Sequence, residues 1–353
     1  MKILVIGPHF PDSFARNIAV TLSAMGHDVH SIAGTRIRHH GNRLVNAFWR
    51  YVPRLSPAIE HMNYALLLKS VRRWPARLTI VTHAMMPPDV VDEIRRFADG
   101  PVVCWFTDPL PNLPRQYLIA SCFDAFFFKE PTLVRLFADK LAKTAAYLPE
   151  CCNPIWHDRV ELSQEEKTYY GCDLAAIGTL HYYRAKCLEA FIGYDLKIWG
   201  TNAPAWMTSP VRSCYRLHFV AETTKAKACA AAKIIVNTIN YADIEGVNCT
   251  CFEAAGCGAF QIADHRPTLD ALFEPGGEII TYRTSDELKE LVDRFLVDQK
   301  GRRRIADSGH RRAHAEHTYQ NRLRDMFKSL GLGRRALAMG TPNGNREAKA
   351  EST

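Results

Sequence analysis

The chain has 353 residues, 47% of them hydrophobic and 23% charged, a balance that excludes a disordered or fibrous polymer and exceeds the comfortable size of one core, so about two domains are expected. No apolar run reaches the roughly 20 residues of a membrane-spanning helix, and MKILVIGPHFPD turns polar too early for a signal peptide, which points to a cytoplasmic protein. The formal charge of +8 is clustered, with five arginines and no acid in TRIRHHGNRLVNAFWRYVPR (Thr35 to Arg54) and a second basic stretch in GRRRIADSGHRRAHAEH.

In the first basic stretch Phe48, Trp49 and Tyr51 sit among the arginines, a pattern that suits peripheral contact with an anionic membrane at the inner face, although the same aromatics suit a core. Nucleic acid is not expected as a partner, because no recognition motif accompanies the charge. The 11 cysteines lack paired Cys-x-x-Cys spacing and read as reduced thiols, including Cys249, Cys251 and Cys257.

In chain order, KILVIG is a β-rich run closed by glycine, and PDSFARNIAVTLSAMGHDVHSI reads as helix, Gly26 stop and second strand. The pattern recurs through LTIVTH, PPDVVDEIRRFADG, PVVCWFT and DAFFFK, and AAYLPECCNP reads as an exit strand and linker. A second series starts at Asp173 with DLAAIG, LKIWG, AKIIVNT, FEAAGCG and AFQIAD, followed by an alternating helix from Ser285. Strands alternating with helices imply parallel sheets covered on both faces, hence two α/β units in tandem. The closing ALAMGTPNGNREAKAEST is small and polar enough for a disordered tail.

Parallel sheets bind ligands beyond the carboxyl ends of their strands. Gly7, Asp108, Gly178, Gly200 and Asn237 occupy such places, yet none belongs to a Gly-x-Gly-x-x-Gly or Gly-Lys-Ser/Thr phosphate motif, which disfavours a nicotinamide dehydrogenase or a kinase. His83 follows one first-half strand, and His9 lies just beyond Gly7; a lone histidine is also commonly structural. Asp108 either faces the cleft or caps the loop ahead of Pro109. The most specific stretch is EGVNCTCFEAAGCGAF, where Glu245 and Glu253 bracket seven residues and Asn248 stands ready to cap a helix.

That stretch resembles the glycosyltransferases of the GT-B fold, and within them is most similar to the CgeB-like (spore maturation protein) glycosyltransferases. VVCWFTDP, YLPECCNP, AAIGTLHYYR and AEHTYQNRL carry the likeness further. The resemblance implies two Rossmann-like domains with parallel sheets facing a central cleft: an acceptor-side domain over 1–152, a linker over 153–172, a donor-binding domain over 173–315, a helix over 316–333 returning to the first domain, and a tail over 334–353. It implies transfer of a sugar from a UDP-, dTDP- or GDP-sugar to a glycan, lipid, protein or small metabolite, with no cofactor.

In similar enzymes the first glutamate of this motif contacts the donor sugar and the second the ribose, here Glu245 and Glu253, with Gly246, Val247 and Asn248 beside them. The register of the family's phosphate-binding lysine falls on Arg184, six residues after Gly178; where relatives often place a second basic residue this chain has Thr179. Gly178, Thr179 and Gly200 thus join the donor-side candidates. The paired glutamates resemble retaining members, in which the departing diphosphate helps deprotonate the acceptor. No Asp-x-Asp occurs, Asp243-x-Glu245 being the nearest approach, so catalysis without metal is expected. A non-catalytic nucleotide- or glycan-binding protein of the same fold is the alternative reading.

Overall fold

In a computed structural model, the described residues are 1–34, 56–113, 115–200, 206–216 and 218–332. The basic segment Thr35 to Arg54 and the tail 334–353 lie outside them.

Two parallel sheets form the body of the molecule. The first contains β1 (Lys2–Ile6), β2 (Asp28–Ile32), β3 (Leu78–Val81), β4 (Val102–Phe106), β5 (Ala125–Phe128) and β6 (Ala145–Tyr147), in the order β2-β1-β3-β4-β5-β6. The second contains β7 (Cys172–Ile177), β8 (Leu196–Trp199), β9 (Ala232–Asn237), β10 (Gln261–Asp264) and β11 (Ile280–Tyr282), in the order β11-β10-β9-β7-β8. Both orders reverse direction beside their first strand, so each unit has a switch-point crevice: after β1 and β3 in the first, after β7 and β9 in the second.

The strands read as unbroken apolar runs because both faces are covered. Leu4 and Ile6 enter one core cluster with Val102, Cys104 and Phe126, while Ile3 and Val5 enter the other with Val103, Trp105 and Phe127, the two-residue alternation of a strand. In the second unit Leu174 and Ala176 face one way, Ala175 and Ile177 the other. The Gln164–Tyr170 helix, capped by a Ser163–Glu166 box, sends Tyr170 into the second unit's core.

The chain crosses between units twice, and the crossings touch. Cys152 N–H donates to His317 O at 2.9 Å and Tyr319 N–H to Cys152 O at 3.1 Å. Beyond this contact the Tyr319–Ser329 helix buries Tyr319, Leu323 and Met326 against Ile3, Trp105 and Phe127 of the first unit. None of the eleven cysteines is paired in a disulfide. No helix among the described residues is long and apolar enough to cross a membrane.

Candidate functional site

On the first unit, Gly7 follows β1 where a Cβ would lie 2.0 Å from Thr82 Oγ1 and 2.8 Å from Ala15 Cβ, so only glycine lets the strand ends approach. His9 is exposed and turns back, its Nδ1 3.0 Å from Gly7 O and its Nε2 against Ser31 Oγ. His83 lies beneath, 3.4 Å from the Tyr64 hydroxyl, and burial pulls its pKa down to about 4, leaving a neutral ring. Asp108 is exposed after β4, close enough for its charge to act on Lys129 and Glu150.

On the second unit, Gly178 takes a φ of +113°, and a Cβ there would meet Arg184 Nη1 at 2.9 Å. Gly200 packs tightly against Gly178, where a Cβ would lie 2.4 Å from its carbonyl oxygen. Arg184 is buried and donates from Nη1 to Thr179 O at 2.8 Å, from Nε to Thr238 Oγ1 at 2.8 Å and from Nη2 to Thr238 O at 3.1 Å. It therefore ties the loop after β7 to the loop after β9, keeping part of its five-donor fork for other groups. Asn237 and Asn248 exchange amide hydrogen bonds at 2.9 and 3.0 Å, and the Asn248 side chain caps the Cys249–Gly256 helix by accepting from Cys251 N–H. Val247 is buried in the core behind that helix.

The two units meet along a charged seam built from the carboxyl ends of both sheets. Glu130, just after β5, accepts backbone N–H groups from Ile244 at 3.0 Å, Glu245 at 3.1 Å and Gly246 at 3.0 Å. Three successive amides converging on one carboxylate form an anion nest immediately ahead of the Cys249–Gly256 helix. Gly246 is required there, since a Cβ would come within 2.6 Å of Lys129 O. The Glu245 carboxylate points to the first unit, paired with Arg135 and accepting from Thr132 Oγ1 at 3.1 Å. Lys129 is buried 3.4 Å from Glu150 and 3.3 Å from Asp243. Asp243 and Glu245 thus turn to different partners and do not converge on a common point.

A second cluster crosses the seam around Lys225, whose ammonium pairs with Glu253 at 2.9 Å and with Asp12 of the first unit, while His157 stands 3.2 Å from Asp12 and 3.9 Å from Glu253. Asp12 and Glu222 exchange backbone-to-carboxylate hydrogen bonds at 3.4 Å, and Arg16 pairs with Glu222 at 2.7 Å. Both Asp12, at φ 62°, and Glu222, at φ 52°, hold backbone conformations unusual for residues with side chains, a strain of order 1 kcal/mol each that the seam contacts must offset.

The electrostatics of these clusters are opposed. Burial works against the charge of Lys129 and of Lys225, but the carboxylates around each outweigh it and hold both ammonium groups protonated. Burial raises Glu150 to about 7, with Lys129 resisting and Asp108 and Asp243 reinforcing the rise, and burial raises Asp243 too. At Asp12 burial is overcome by the His157 hydrogen bond and the Lys225 charge, which hold its carboxyl below the usual range.

The structure therefore gathers Glu245, Gly246, Val247, Asn248 and Glu253 around one helix, and Gly178, Thr179 and Arg184 around the adjoining loop. His83 stands apart under the first unit's loops. Asp12, Lys129, Glu130, Glu150, His157 and Lys225 carry the seam without having been read from sequence. Lys129, Glu130 and Glu150 did carry a signal, each following an apolar strand run as in FFFKE and YLPE; Lys225, inside TTKAKACAA, carried none. Among the described residues two groups have metal-ligand spacing, Asp12–His157–Glu253 and Asp158–His310–His314; the first already encloses the Lys225 ammonium.

The fold defined by these two units is that of the GT-B glycosyltransferases. Superposition gives a TM-score of 0.63 with a sucrose-phosphate synthase from Thermosynechococcus elongatus at 14% identity, covering 96% of this chain and 99% of that one. It gives 0.64 with HepE from Anabaena in complex with UDP-glucose, at 11% identity over 94% of this chain and 99% of that one. A glycosyltransferase from Rickettsia africae also gives 0.64, at 10% identity over 96% and 99%. At the sequence level, residues 184–328 match a family model described as glycosyl transferase-like. No curated protein sequence matches the chain.

Proposed function

We propose that the protein is a glycosyltransferase that binds a nucleotide-sugar donor on its second unit and transfers the sugar to an acceptor entering from the first. The observation that carries this reading is the amide nest and capped helix at Ile244–Gly256, facing the opposite sheet's strand ends within the stretch that matches the glycosyl transferase-like model. An amino-terminal helix end behind a loop of converging N–H groups suits a departing diphosphate. HepE, which shares the fold, is known in complexes with UDP and with UDP-glucose, and that supports a nucleotide-sugar donor here.

In the proposed cycle Arg184 supplies positive charge near the diphosphate from the loop after β7. Glu245 orients the sugar, and Glu253 holds the ribose. Gly178, Thr179 and Gly200 shape the donor floor, Gly7, His9 and His83 are the acceptor-side candidates, and Asp108 faces the cleft as a catalytic or donor-contacting carboxylate. Transfer proceeds with retention and without metal. Because Glu253 is engaged by Lys225 and the nest by Glu130, donor entry requires both seam clusters to part, the donor's hydroxyl and phosphate groups taking the places of those partners. The narrower likeness to the CgeB-like enzymes, the 1–152 and 173–315 boundaries, and the cytoplasmic location belong to the same reading.

The test is thermal unfolding against UDP, dTDP, GDP and their sugars. A rise in midpoint with one nucleotide series, lost in Glu253→Ala, is expected. No shift with any nucleotide contradicts the reading.

A further inference from the structure

Away from the seam, where the first crossing enters the second unit, three side chains meet. The Gln299–Glu316 helix places His310 and His314 four residues apart on one face, with ring centroids 4.3 Å apart. Asp158, from the segment that has just left the first unit, brings its Oδ1 to 3.6 Å from His310 Nε2 and 3.7 Å from His314 Nε2. One ligand atom from each residue lies within 4.8 Å of the other two. A tetrahedral zinc with bonds of about 2.0–2.1 Å sets its ligand atoms about 3.3 Å apart, so small side-chain rotations close the site.

The surroundings are those of a ligand set. His310 Nδ1–H donates to Gly256 O at 2.8 Å, which turns its Nε2 toward Asp158 and matches the backbone-carbonyl support usual behind metal-bound imidazoles. His314 Nε2 also reaches Gly256 O, at 2.9 Å; it can release that contact and carry its proton on Nδ1, because the carbonyl keeps the His310 bond. Asp158 Oδ1 is fixed by Arg159 N–H at 2.7 Å, and the Arg159 guanidinium pairs with Asp307. The two imidazoles are only 19% and 23% exposed while the carboxylate is 52% exposed, leaving an open side for a water ligand.

We propose that Asp158, His310 and His314 form a site for a zinc-class divalent transition metal, with water as fourth ligand, stapling the incoming crossing segment to the helix that leads into the return crossing. The two crossings touch at Cys152 and His317–Tyr319, so the bound metal stiffens the hinge. Two imidazoles and one carboxylate select a first-row transition metal over magnesium or calcium. The donor reading plays no part in this.

The experiment is calorimetric titration of the chelator-treated full-length chain with zinc, with magnesium in parallel. One saturable zinc site is expected, weakened about tenfold or more in Asp158→Ala, His310→Ala and His314→Ala and unchanged in His61→Ala, whose ring pairs with Asp89 and Glu93 elsewhere. Zinc should raise the thermal midpoint of the wild type and not of the site variants. His310→Asn and His314→Asn replace any alanine variant whose circular dichroism shows loss of fold. No saturable zinc binding, equal affinity for magnesium, or binding that the site substitutions leave unchanged overturns the proposal.

Discussion

Glu150 is a carboxyl whose protonation is brought into the neutral range by its surroundings. Its pKa rises from 4.5 to about 7 because burial disfavours the carboxylate, and Lys129 only partly compensates. A raised folded-state value means that the folded chain holds a proton the unfolded chain has already lost. The stabilisation from that proton is complete below about pH 4.5 and disappears as pH rises through 7. Relative to Glu150→Gln, the wild type should therefore lose about 3 kcal/mol of stability between these limits. Urea unfolding of both proteins across that range checks it, and a pH-independent difference would count against the buried, proton-holding carboxyl. Lys225 is the second case. Lys225→Met leaves Glu253 and Asp12 buried together without their cation, and a loss of about 3–5 kcal/mol in the same assay is expected.

Among elements, the strands and the Cys249–Gly256 helix were legible because their signals are local: apolar runs closed by glycine or polar residues, and an asparagine at the cap. The three-residue β11 was not, since IITY is too short to announce a strand. The nest at Ile244–Gly246 was half legible. Its glycine and glutamate stood out, but its occupant Glu130 lies 116 residues before Gly246, and no spacing rule links them. Asp12 and Lys225 escaped for the same reason, being joined only by folding. Gly246→Ala tests the nest, because the added Cβ meets backbone rather than a movable side chain. A loss of about 1–3 kcal/mol is expected, with a larger radius of gyration in X-ray scattering as the seam opens. Gly193→Ala, which meets nothing within 4 Å, should leave the radius unchanged.

At the scale of the whole molecule, two α/β units are joined by a double crossing, sealed by two ionic clusters, and overlaid by a C-terminal helix that completes the first unit's core. Composition and strand–helix alternation foretold the two units; the seam's specific partners came only with the fold. The strained Asp12 and Glu222 and the buried lysines place the energetic tension where the proposed donor must enter, so closure and binding are expected to be coupled. The direct test is release of nucleoside diphosphate when the chain is incubated with UDP-, dTDP- and GDP-sugars. Slow release from one of them is expected in the wild type, with Glu245→Gln reducing release more than nucleotide affinity. A protein that binds nucleotide sugars yet releases no diphosphate with any acceptor or water would contradict the glycosyltransferase reading.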